Sequence, residues 1–247
     1  MPDRQLTLRC VHCLGTFDEL TADHVFPKSW YPETTPANLE KWTVPACSAC
    51  NKAYGRLEED LLAKIALCLD PKSPSAKGIT QRVVRSMDVR AGRDDRDAAA
   101  RACRLSKIRA DMHTFDQPPN EGVLPGLGPI PGLKYEKYVG VLVPQDDLRC
   151  IVLKIVRGLA LRLDGVYLDG DLEIHCYPFE GDGEPWINDV LSRFGSAYEW
   201  GDGIKVVRAA VEGDPRASLT RVEFWQRFKF YGIVRPAESS GITFHGM

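Results

Sequence analysis

The chain has 247 residues, 44% of them hydrophobic, and its Lys+Arg count of 32 against an Asp+Glu count of 34 leaves a formal net charge of −2. That composition fits a globular protein of one large or two small domains, and it excludes global basicity as a means of holding nucleic acid, so any such contact must come from a local patch. No apolar run is long enough to span a bilayer and the polar N-terminus lacks a signal-peptide core, so the expectation is a cytoplasmic chain without a membrane partner.

Residues 1–9 form a short lead-in, with a strand through Leu6 and Leu8. Two Cys-x-x-Cys pairs follow, Cys10-Val-His-Cys13 and Cys47-Ser-Ala-Cys50. Two residues between cysteines let both sulfurs of a tight turn point at one centre, and two such turns supply the four thiolates of a tetrahedral structural zinc site. His12 is an alternative to one of the sulfurs, and a disulfide or unrelated buried thiols is the plainer reading of the same residues. Cys68, Cys103, Cys150 and Cys176 are scattered singly and read as buried or spare thiols.

Between the cysteine pairs, Thr21 to Phe26 is β-branched and aromatic and is stopped by Pro27, which reads as a strand. Asn38 to Val44 alternates as a second strand closed by Pro45. Ser48 is a candidate N-cap for a helix running to about Leu69, with Tyr54, Leu57, Leu61, Ile65 and Cys68 on one stripe. The expected order is β, β, α.

Asp23-His24-Val25-Phe26-Pro27, then Asn38-Leu39 after a loop, then Cys47-Ser-Ala-Cys50-Asn51 at a helix start together resemble the HNH (ββα-metal) endonucleases over roughly residues 8–60. The resemblance implies that His24 is the general base, that Asn38 braces the loop between the strands, and that Asp23 and Asn51 hold a catalytic Mg²⁺ or Mn²⁺. Many members carry His where this chain has Asn51. It further implies hydrolysis of DNA phosphodiesters to 5′-phosphate and 3′-hydroxyl ends. The chemistry suits the residues: an imidazole titrates close enough to neutrality to deprotonate water, and carboxylate and amide oxygens are hard donors of the kind Mg²⁺ or Mn²⁺ prefers. Adjacent strand residues point to opposite faces, so Asp23 and His24 share a site only if the strand bends or ends there, as Pro27 allows.

The expected partner is nucleic acid, double-stranded DNA first, and cutting both strands calls for two sites and hence a homodimer. Lys28 and Lys52 flank the motif as nucleic-acid contacts. The rival reading is a catalytically inactive zinc-ribbon module that docks nucleic acid or protein through the same knuckles, and RNA is the other substrate the hydrolytic residues allow.

Asp70 to Gly78 is turn-rich and marks a boundary. Residues 81–110 hold nine Lys/Arg against four Asp on a helix-favouring sequence, which reads either as an anion-binding segment carried by Arg101, Arg104 and Lys107 or as a solvated helix laced with ion pairs. Gln117 to Lys134 is rich in Pro and Gly and reads as a long connection. Beyond it the expected elements are a strand at Tyr138 to Val143, a helix from Asp146 to Leu163 ended by Gly165, a strand at Leu172 to Tyr177, a helix from Glu184 to Phe194 and a strand at Ile204 to Val211. A last strand runs from Thr220 to Tyr231, with Val222, Phe224, Phe228 and Phe230 on one face and Arg221, Trp225, Arg227, Lys229 and Tyr231 on the other. The second face reads as a base-stacking platform or, more plainly, as an amphipathic outer strand. His175 reads as a hydrogen-bonded sheet residue, while His113 and His245 stand isolated. The expected fold class is α+β: a zinc-stapled ββα motif at residues 1–70, a charged helical segment and connection at 71–135, and an α+β recognition or assembly domain at 136–247.

Overall fold

The computed structural model describes residues 8–115, 138–170, 172–177 and 185–236. Strands β1 (Leu8–Arg9) and β2 (Thr16–Phe17) pair antiparallel around the first cysteine pair. Strand β3 (Thr21–His24) pairs antiparallel with β4 (Thr43–Ala46), placing Asp23 opposite Val44 and His24 opposite Thr43, and helix α1 (Ser48–Ile65) follows. The order β, β, α is present with shifted bounds. Residues 36–39 make a turn closed by Leu39 N–H to the Pro36 carbonyl, so the second strand starts at Thr43 and not at Asn38. It continues through Pro45, which needs no ladder donor of its own while its carbonyl accepts from the Val11 amide. Cys47 caps α1 in place of Ser48, its sulfur accepting from the Cys50 amide.

Helices α2 (Ile79–Met87) and α3 (Asp95–Ala110) come next, α3 capped by Asp94, and then β5 (Met112–Phe115) pairs with β6 (Tyr138–Val141). The Pro/Gly-rich stretch of residues 117–134 lies outside the described residues, as does His245. Helix α4 (Gln145–Leu159) runs into a π-turn at Ala160–Asp164 and stops at Gly165, whose φ of +70° suits glycine. Strand β7 (Leu172–Tyr177), helix α5 (Pro185–Phe194) and strands β8 (Ser196–Trp200), β9 (Ile204–Val211), β10 (Asp214–Phe224) and β11 (Phe228–Pro236) complete the chain. The last five strands form one antiparallel sheet in the order β7-β11-β10-β9-β8. Among the described residues, five α-helices beside an antiparallel sheet make the fold α+β.

The stretch from Thr220 to Tyr231 is a hairpin and not one strand. Phe224 pairs with Phe228, and Trp225 and Gln226 turn the chain at φ of 54° and 57°. Trp225 is thereby buried against Trp30 and Phe228, donating its indole N–H to the Trp30 carbonyl at 2.9 Å. Tyr231 is buried with Ile187 and Leu191 of α5, which covers that face of the sheet. Those two aromatics are core and form no exposed platform.

Helix α4 holds the molecule together. Leu148, Ile151, Val152, Ile155, Val156 and Leu159 are buried in one hydrophobic core with Val25, Phe26, Trp30, Leu61 and Ile65 on one side and Val206, Val222, Phe224 and Phe230 on the other. The three expected segments therefore share a core. Close approach depends on Gly232 of β11, where an added Cβ would lie 2.4 Å from the Val156 side chain. At the far end of the helix, Arg208 of β9 is buried and donates to Asp164, Ser218 and Thr220, which pins the π-turn to the sheet.

Candidate functional site

The cysteine pairs converge. The sulfurs of Cys10, Cys13, Cys47 and Cys50 all lie within 4.8 Å of one another, with Cys13 and Cys47 at 3.9 Å. A tetrahedron of metal–sulfur bonds of about 2.3 Å has edges of about 3.8 Å, so the four can hold a structural metal such as zinc. Burial pushes the Cys10 thiol up, but the backbone amides of Cys13, Cys47 and His12 bring it down to about 7, whereas burial and the neighbouring sulfurs raise Cys50. A dication held among the four sulfurs would offset the charge of the thiolates that ligate it.

The first knuckle also builds the wall of a second cluster. His12, 3% exposed, lies at 2.8 Å through Nε2 from Asp23 Oδ2, and its ring packs 4.6 Å from that of Tyr54 on α1. The other carboxylate oxygen of Asp23, a residue 6% exposed, accepts from the Lys154 ammonium at 3.0 Å. Lys154, on α4, is fully buried, and it also pairs with Glu58 of α1. One turn further along α4, Arg157 donates to the His12 carbonyl at 2.6 Å. Helix α4 thus holds the first cysteine knuckle through the His12 carbonyl and the candidate site through Asp23 and Glu58. Burial pushes Asp23 up, but the His12 hydrogen bond and the Lys154 charge outweigh it and hold its carboxyl below the usual range. Glu58 has Lys154 alone to offset its burial, and its pKa stays raised.

Asn51 stands one turn before Tyr54 on α1. Its amide nitrogen donates to Thr21 Oγ1 at 2.9 Å and to the Ala22 carbonyl at 3.4 Å. The Thr21 hydroxyl gives its own proton to the Ala46 carbonyl, so toward Asn51 it can only accept, which fixes the amide with nitrogen toward β3. Neither oxygen of Asp23 is free, and the Asn51 oxygen is not the atom turned to the strand. This arrangement does not fit the Mg²⁺ or Mn²⁺ expected there, because a divalent ion needs oxygen lone pairs and would meet the Lys154 ammonium beside the carboxylate.

His24 ends β3 and is half-buried, with Nδ1 enclosed and unpartnered. Burial first, then the charges of Lys28, Lys154 and Lys41, lower its pKa against the opposing pull of Asp23, so the ring is neutral at pH 7. Lys28 and Lys41 also line an open cleft of about 620 Å³ with Tyr31, Glu58 and Arg82. Lys41 lies over the Tyr31 ring, its Nζ 5.0 Å from the centroid. Arg82 donates to the Ser29 and Tyr31 carbonyls and so fixes the turn carrying Lys28.

The other expected residues are scattered. Asn38 is exposed in the loop between β3 and β4, and Lys52 is exposed on α1. Arg101 pairs with Asp97 and donates to the Arg85 carbonyl, Arg104 donates to the Ser86 carbonyl and lies 3.8 Å from Glu59, and Lys107 lies 3.8 Å from Asp60. These three cations tie α3 to α1 and α2. His175 is exposed, 3.4 Å from Glu173, and His113 is exposed on β5.

Sequence reasoning missed Lys154, Glu58 and the second role of His12. A signal existed for Lys154: it is the lone charge in the run Ile151-Val-Leu-Lys-Ile-Val156, on a helix otherwise apolar there. In comparison with known proteins, the chain matches no family model, no curated protein and no solved structure.

Proposed function

We propose that this chain is an HNH-like endonuclease, zinc-stapled at Cys10, Cys13, Cys47 and Cys50, that hydrolyses nucleic-acid phosphodiesters with His24 as the base. The observation that carries the reading is a neutral imidazole at the end of β3 in a β, β, α unit, within electrostatic reach of Lys28 and Lys41, which line a cleft that His24 itself does not line. His24 takes the proton of a water attacking phosphorus, the P–O3′ bond breaks, and the departing 3′ oxygen takes a proton from solvent to leave as the hydroxyl. Lys28 and Lys41 offset charge on the phosphate, which a cation near a reacting phosphoryl group does in any medium of reduced dielectric. Because Asp23 and Asn51 do not fit a divalent ion as they stand, no step of this reading passes through one.

The engagement of Asp23 by His12 and Lys154 favours a second reading, in which the same module docks nucleic acid or protein without cutting it. Plasmid nicking separates the two. The endonuclease reading expects nicking by the zinc-loaded protein that is lost in His24→Ala, and a rate that falls on the acid side only below the ordinary histidine range, since the His24 pKa is lowered. Tight binding of duplex without any cleavage would establish the docking reading instead.

A further inference from the structure

We infer that Lys154 is the resident cation between two carboxylates, the buried Asp23 and the half-buried Glu58, and that its ammonium keeps divalent metal ions out of the candidate site. Asp23 comes from β3 and Glu58 from α1, so the two acids belong to the ββα unit, whereas the cation that joins them comes from α4. The ammonium is fully buried and sits 3.0 Å from Asp23. Two carboxylates facing one buried point are a hard-oxygen donor set, and a cation there is required, because an uncompensated buried charge is costly. The chain meets that requirement with a side chain.

Three features make the ammonium a fixture. Lys154 projects from a helix locked by Gly232 against the sheet and by Arg157 on the His12 carbonyl. The Tyr54 ring lies 5.6 Å from Nζ and offers its face to the charge. His12, held in the first knuckle, occupies the second oxygen of Asp23, so the carboxylate cannot rotate toward an added ion without breaking a buried contact. The inference holds whether or not the chain cuts nucleic acid, and its test does not read cleavage.

The test is Mn²⁺ binding to the zinc-loaded full chain, followed by the paramagnetic resonance of free Mn²⁺, in wild type, Asp23→Asn, Lys154→Met and Lys154→Met/Asp23→Asn. Mn²⁺ prefers oxygen donors and leaves the four thiolates to zinc. Wild type is expected to take up no Mn²⁺ that Asp23→Asn abolishes. Lys154→Met is expected to gain one Mn²⁺ per chain and a higher melting temperature on Mn²⁺ addition, and the double variant is expected to lose both. A Mn²⁺ ion in wild type that Asp23→Asn removes would overturn the inference, and so would a folded Lys154→Met that binds none. Should Lys154→Met not fold in metal-free buffer, Mn²⁺ is expected to restore folding, and failure to do so with Asp23 intact counts against the inference.

Discussion

Replacing Lys154 by alanine removes a fully buried ammonium that serves two carboxylates at once. Breaking a buried pair by deleting one partner costs about 3–5 kcal/mol, because the remaining charge is left without compensation. At about 2–4 °C per kcal/mol for a chain of this size, the melting temperature should fall by about 6–20 °C. The pH dependence is the sharper mark. In wild type the Asp23 pKa is lowered, so its stabilising contribution is present above the unfolded carboxyl pKa and is lost as pH falls through the folded value. Without Lys154 the His12 hydrogen bond alone opposes the burial of Asp23 and nothing offsets that of Glu58, so both carboxyl pKa values rise from their wild-type positions and protonation relieves part of the loss. The deficit of Lys154→Ala should therefore be largest near pH 7 and shrink toward pH 4, as read by urea denaturation at several pH values. A deficit under about 1 kcal/mol at pH 7, the size of a surface pair, or one flat in pH, would refute the reasoning.

Three further outcomes follow from the same geometry. Zinc at the four cysteines should appear as one metal per chain by elemental analysis, and chelation should unfold residues around the knuckles, since such sites supply about 10–16 kcal/mol of apparent binding energy; a metal-free protein with an unchanged melt would contradict this. Gly232→Ala should destabilise by about 1–3 kcal/mol in calorimetry, because its Cβ would overlap Val156 and force α4 off the sheet. Charge reversal at Lys28 and Lys41 should weaken duplex binding and reduce the salt dependence of affinity by about two phosphate contacts, whereas unchanged salt dependence would remove the cleft from the interface.

The features legible in the sequence were the ones written in local spacing. The knuckles, the apolar stripe of α4 and the strand at Ile204–Val211 each follow from a short-range pattern, and each is where that pattern put it. What could not be read depends on partners far along the chain. Asp23 reads as a metal-binding carboxylate because its Lys154 partner lies 131 residues away, and no periodicity in residues 21–26 registers an ammonium on α4. Trp225 looked like a surface aromatic on an extended strand. The backbone reverses there at positive φ, which neither Trp nor Gln favours, and burial against Trp30 holds it. Likewise the basic composition of residues 81–110 carries no record that Glu59 and Asp60 on α1 face Arg104 and Lys107.

Supercoiled plasmid tests the proposed role of the His24 imidazole most directly. Zinc-loaded wild type should nick the plasmid, and His24→Ala, with the same zinc content and melting temperature, should leave it supercoiled. Nicking that persists at the wild-type rate in His24→Ala would contradict the claim outright.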